Sequence, residues 1–189
     1  MNEQVAFWIA QSISIVTTVI AILCVQLKKM NWILICQISA NFLAGTTYFF
    51  IDGKSGLGIS IIAVLQTVVM FLYEKKKKTP HWLVTVAFCA AYVGYSLLVY
   101  QTVFDLLPAA AAVFFALSVA QKKPERYRIF AAINPTFWVA YDIYAQAFVY
   151  IFMHSGIFIS AIVGIIRLDI IGKRRAAKNA DSLTDNKNM

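Results

Sequence analysis

Charge is scarce in this sequence. Asp, Glu, Lys and Arg make up 14% of its 189 residues, against 60% for apolar side chains, and the mean hydropathy is +0.70. A water-soluble domain of this size has to present far more polar surface, so a soluble globular fold is excluded. Histidine occurs twice and cysteine three times. Cys24, Cys36 and Cys89 stand inside apolar runs without paired spacing. That pattern excludes a disulfide framework and a zinc site and leaves buried thiols. No GxGxxG, Walker loop, HExxH or Ser–His–Asp arrangement occurs, so no cofactor and no metal is expected. Ser12, Ser14, Ser39 and Ser160 stand within apolar runs, but neither His81 nor His154 is placed to serve them as a base. An enzyme is therefore not expected.

What the sequence does have is a series of apolar runs of membrane-spanning length, about 20 residues each. Val5 to Leu27 ends at Lys28 and Lys29, and reads as a first spanning helix because it is too long for a signal-peptide core. Trp32 to Ile51 is closed by Asp52 to Ser55. Gly56 to Tyr73 is followed by Glu74 and Lys75 to Lys78. Trp82 to Tyr100 is the fourth run. A short turn with Asp105 leads to the fifth, Leu106 to Ala120, where Pro108 suits a first helical turn. A basic turn, Lys122 to Arg128, precedes Ile129 to Ile171, which is about two crossings long and is split near Gln146 to Ser155. The expected fold is an all-α polytopic membrane protein of about seven transmembrane helices over residues 1–171, with a disordered cytoplasmic tail over 172–189.

Of the 17 Lys and Arg residues, all but Lys54 fall on one side of this arrangement. The positive-inside rule makes that side the cytoplasm, so the N-terminus is expected outside and the C-terminus inside. Sorting the basic loops to one face requires an odd number of helices. Trp8, Trp32, Tyr48, Tyr73, Trp82, Tyr100, Tyr127 and Tyr144 mark interfacial belts. The net charge of +8 is explained by this bias and by membrane lipids, with Lys173 to Arg175 resting on anionic headgroups, so no nucleic-acid partner is expected.

An internal correspondence is also visible. Lys29, Asn41 and Tyr48 match Lys122, Asn134 and Tyr141 at one offset, placing Asn and Tyr about two turns apart on one helix face in each half. Gly56, Ile59, Ser60 and Ile62 echo Gly156, Ile159, Ser160 and Ile162. The reading is two parallel three-helix repeats, about 5–73 and 106–171, joined by helix 4 over 82–100. Parallel repeats are one way of building a transporter, with the site near the midplane between the halves.

Trp8-Ile9-Ala10-Gln11, Leu106-Leu107-Pro108 and Ile165-Ile166-Arg167, together with Trp138, resemble the bacterial inner-membrane YgjV family over nearly the whole chain. The 3+1+3 layout also resembles the vitamin-precursor transporters of the PnuC type and the sugar-transporting SWEETs. Trp138 and Tyr141 match part of the aromatic pocket of those transporters, while the Pro-Gln pair of the SWEETs is absent. The resemblance implies a fold and a bacterial inner-membrane location.

Polar groups at membrane depth are costly and mark candidate sites. Asn41 and Asn134 lie mid-helix and serve either as interhelical hydrogen-bond glue or as ligands in a central cavity. Pro135 frees the carbonyl near Ala131 and provides either a kink for packing or a hinge. Asp142 is an acid inside an apolar run, toward its outer end, where it either reaches water or couples a proton or cation. Gln37, and with it Gln11 and Gln66, are further cavity candidates, each more readily read as a packing residue than as a ligand contact. Gly45 and Gly164 allow close helix approach. The candidate binding set is thus Asn41, Tyr48, Asn134, Trp138, Tyr141, Asp142 and Gln37, for a small polar solute. A non-transporting lipid-binding or assembly protein is the alternative, and either is compatible with a homo-oligomer.

Overall fold

In hydrocarbon every backbone N–H and C=O has to be satisfied within its own segment, which leaves apolar runs no choice but helix. The computed structural model describes residues 3–50, 54–144, 148–172 and 174. Its helices are α1 (Glu3–Cys24), α2 (Met30–Phe50), α3 (Lys54–Lys75), α4 (Trp82–Leu98), α5 (Leu106–Val119), α6 (Pro124–Tyr144) and α7 (Phe148–Gly164). A one-turn 3-10 helix, Val103–Asp105, leads into α5, and α7 runs on as a π-helical segment, Ile165–Ile171. There is no strand among the described residues. Among the described residues four stretches are long and apolar enough to cross a membrane: Gln4–Cys24, Met30–Phe50, Gly56–Lys75 and Tyr150–Ile171. The chain is an all-α polytopic membrane protein. Large apolar side chains face outward, Phe152 at 79% and Leu98 at 85% exposure, as a lipid-facing surface requires.

Several boundaries differ from the sequence expectation. α1 ends at Cys24 rather than Leu27, because Gln26 and Leu27 donate to Leu23 and Cys24 in tight turns of 3.0 and 3.2 Å. The basic turn expected at Lys122 to Arg128 is mostly helix. α6 begins at Pro124, where a missing N–H costs nothing, so Arg126 and Arg128 are helical. In the long apolar run α6 ends at Tyr144 and α7 begins at Phe148; of the positions expected at the split, Gln146 lies outside the described residues, and His154 and Ser155 lie inside α7. The expected tail falls almost wholly outside the described residues.

Contacts run α1–α2–α3 and α5–α6–α7, each helix against the next in chain order, and the two sets meet at α1–α7 and α3–α5. The six helices therefore form a closed ring. α4 lies outside it, against α3 and α5. Near the ends that carry the basic loops the ring is filled by an apolar cluster around Cys24, Val25, Ile33, Leu34, Val119 and Tyr127. Gly45 and Gly164 mark close approaches. A Cβ on Gly45 would sit 3.3 Å from Ser60 Cβ, and one on Gly164 only 2.9 Å from the Val25 carbonyl.

Candidate functional site

The ring encloses a cavity of about 180 Å³, to which all seven helices contribute lining residues. Its polar lining includes Thr17, Gln37, Asn41, Tyr92, Ser118, Tyr127, Asn134 and His154. α4 reaches it through Tyr92, which is fully buried. A second chamber of about 110 Å³ adjoins it between α1, α2 and α7, lined by Ser14, Thr18, Thr47, Tyr48, Tyr150 and others. Thr17, Ala21, Ala44, His154 and Ile157 line both spaces.

The floor is a chain of hydrogen bonds. Gln37 Nε2 donates to the Tyr127 hydroxyl at 2.5 Å, the hydroxyl lies 3.3 Å from Cys24 Sγ, and the thiol donates to the Ile33 carbonyl at 3.4 Å. With the S–H committed to Ile33, the Tyr127 O–H is the donor to sulfur. Below it Arg128, 2% exposed, ties the ring together. Its Nε and Nη2 donate to the carbonyls of Val25 and Leu27 at 2.9 and 2.6 Å, and its Nη1 meets Asp169 Oδ1 at 2.6 Å.

Asn41 and Asn134 both line the cavity, and both have their amide nitrogens engaged. Asn41 Nδ2 donates to the Gln37 carbonyl at 2.8 Å, and Asn134 Nδ2 to the Ala111 carbonyl of α5 at 2.6 Å. The two are thus not equivalent: one bond lies within α2, the other joins α6 to α5. An amide NH2 carries two donors, so each keeps its carbonyl oxygen for a solute and Asn134 keeps one N–H as well. Pro135 has no N–H to give the Ala131 carbonyl, and both residues line the same space. The cavity therefore offers acceptors and donors together.

The opposite end is aromatic and charged. His154 Nδ1 lies 2.6 Å from Asp142 Oδ2, joining α7 to α6. Trp138 stacks on the imidazole at 5.4 Å, and Tyr150 lies at 6.4 Å. Beyond, in the α4–α5 turn, Asp105 Oδ2 accepts from the amides of Thr102 and Gln101 at 2.6 and 2.9 Å. Partial burial pushes its carboxyl up, but these amides and the Thr102 hydroxyl hold it below the ordinary carboxylate value.

Of the residues expected from the sequence, Gln37, Asn41, Asn134 and Trp138 line the central cavity, and Tyr48 lines the second chamber. Tyr141 and Asp142 line neither. Tyr141 stands edge-on behind Trp138, and Asp142 stands behind His154. Gln66 is a packing residue, donating to the Ala116 carbonyl at 3.1 Å, and Gln11 lines neither chamber. Sequence reasoning did not place His154 with Asp142, nor find Tyr92 and the Arg128–Asp169 clasp. A lone acid and a histidine twelve residues apart across a helix break were the available signal for the first. Arg128 looked like one more loop cation.

A family model described as Imp-YgjV, bacterial inner membrane protein, matches residues 8–170. No curated protein and no solved structure gives a significant match.

Proposed function

The chain belongs to the Imp-YgjV family of bacterial inner membrane proteins, and from that premise we propose that it carries a small polar solute across that membrane through the cavity between its two three-helix units. The observation that carries this reading is the partly polar space ringed by six helices. A site for a small molecule needs an apolar enclosure with a few placed polar groups. Here Ala40, Ala44, Ala63, Ala112 and Phe115 form the enclosure, and Asn41, Asn134 and Gln37 supply the polar groups. At about 180 Å³ the space falls below the roughly 300–1,000 Å³ usual for drug-sized ligands, which fits a small metabolite. The buried Tyr92 hydroxyl has no protein partner among the described residues. Leaving such a group unmatched costs about 1–3 kcal/mol. With carbonyl oxygens and remaining amide N–H groups both on its lining, the cavity suits a neutral solute that donates and accepts hydrogen bonds, such as a hydroxyl or amide compound.

The basic residues set the orientation proposed with it: N-terminus outside, clasp and apolar plug at the cytoplasmic end, second chamber toward the outside. We read the protein as a carrier and not an enzyme. The hydroxyls of Ser12, Ser39 and Ser160 donate to carbonyls of Trp8, Ile35 and Ile22, and His154 is engaged by Asp142. A lipid-binding role draws support from an apolar groove of about 370 Å³ on the α2–α3 face, lined by Phe42, Gly45, Phe49, Leu57 and Ile61.

Uptake into proteoliposomes against a panel of nucleosides, vitamins, sugars and amino acids tests the proposal. For the solute carried, Asn134→Ala should cut the rate about tenfold, the equivalent of one hydrogen-bonding group or about 1.4 kcal/mol. No uptake of any compound in the panel would move the reading to lipid binding.

A further inference from the structure

We propose that Asp142 and His154 form a proton-binding site at the outer mouth of the cavity, and that its loading is coupled to traffic through it. The coupling rests on the carrier reading above, whereas the site stands on its own geometry. Asp142 Oδ2 and His154 Nδ1 are 2.6 Å apart, with side chains 6% and 21% exposed. In a low-dielectric setting a net charge is the costly state. The pair is neutral overall when it holds one proton, as imidazolium beside carboxylate. Removing that proton leaves one net negative charge, and adding a second leaves one net positive charge. Each change becomes cheap only when water reaches the pair. A dry pair therefore keeps its proton and a wetted pair exchanges it.

Position gives this property a use. His154 is the one titratable side chain that lines both the central cavity and the outer chamber, among the described residues. Asp142 stands behind it. Tyr48 from α2, Tyr150 from α7, Tyr141 and Tyr144 from α6 and Asp105 from the α4–α5 turn complete the ionisable surroundings. α1 presents only Ser14, Thr17, Thr18 and Ala21 to the outer chamber, so no second cation competes from that side. In the loading step outer water supplies one proton, held between Nδ1 and Oδ2. Release to the cavity leaves a carboxylate and a neutral imidazole.

Trp138, stacked on His154 at 5.4 Å, is a built-in reporter. An imidazolium against an indole face is a cation–π contact, and it quenches indole emission. In the full chain with Trp8, Trp32 and Trp82 changed to Phe, Trp138 emission should show one reversible quenching step as the pH is lowered. His154→Gln should abolish the step and Asp142→Asn should displace it. Emission independent of pH, or a step surviving His154→Gln, would overturn the site. In proteoliposomes, the nucleoside, vitamin, sugar or amino acid carried should enter several-fold faster with acid outside, and His154→Gln should remove that acceleration. A solute carried equally with and without the gradient would overturn the coupling and leave the pair a pin between α6 and α7. If no compound is carried, the carrier reading fails, and the emission step alone decides the proton site.

Discussion

Gly164 stands where a methyl group has no room. The Cβ of alanine there would meet the Val25 carbonyl at 2.9 Å and Arg128 Cδ at 3.3 Å, and a backbone carbonyl cannot swing aside as a side chain can. Gly164→Ala should therefore force α7 away from α1 and destabilise the protein by about 1–3 kcal/mol, the usual range for overpacking. Gly94, with nothing within 4 Å of its would-be Cβ, is the control. Gly94→Ala should be neutral or slightly stabilising, since alanine is the better helix former by about 1 kcal/mol. Thermal melts followed by size-exclusion in detergent read both. Asp105 makes a different residue-scale prediction. Its carboxyl is held below the ordinary value, so its contribution is present at neutral pH and is lost as pH falls through the folded-state value. Asp105→Asn should melt below the parent at pH 7, and the gap should close as pH drops below about 3.9.

At the scale of elements, the inner ends of α1, α6 and the π-helical segment are held by one side chain. Arg128 binds the carbonyls of Val25 and Leu27 and the carboxylate of Asp169. Arg128→Met removes the donor and leaves the acceptors. Breaking a buried pair from one side costs about 3–5 kcal/mol. Asp169 is 13% exposed, which places the expected loss toward the lower end. Asp169→Asn should cost less, because the two carbonyl contacts survive it. Equal stability of Arg128→Met and the parent in a thermal melt would contradict the clasp. The helices themselves were legible because hydropathy and lysine runs mark their limits. Their ends were less so. Arg128 reads as a loop cation in sequence, since nothing local tells a lysine facing water from an arginine threaded into carbonyls 101 and 103 residues away in the chain. Gln66 shows the opposite case: an amide at depth reads as packing or as cavity lining, and only its partner across the helices decides, here by pinning α3 to α5.

For the whole molecule, the ring and its cavity depend on which helices adjoin, and periodicity carries no information about that. Asn41 and Asn134 stood out by their matching offset, and both line the cavity, but their hydrogen-bond partners break the equivalence. The Asp142–His154 contact was visible only as two rare residues on either side of a helix break. The proposed orientation predicts that single cysteines at Asp105 label from outside, and at Lys76 and Arg126 only after permeabilisation, in a background lacking Cys24, Cys36 and Cys89. Outside labelling at Lys76 would invert the protein. The central claim, a water-accessible cavity inside the ring, is tested most directly by reaction of single cysteines with a hydrophilic maleimide in intact membranes. Ala44→Cys, which lines both chambers, and Ala131→Cys, which lines the central one, should react readily, while Ile61→Cys, 53% exposed on the lipid-facing surface, should not. Cysteines at Ala44 and Ala131 as inert as the one at Ile61 would mean the ring is dry, and the carrier reading would have no path.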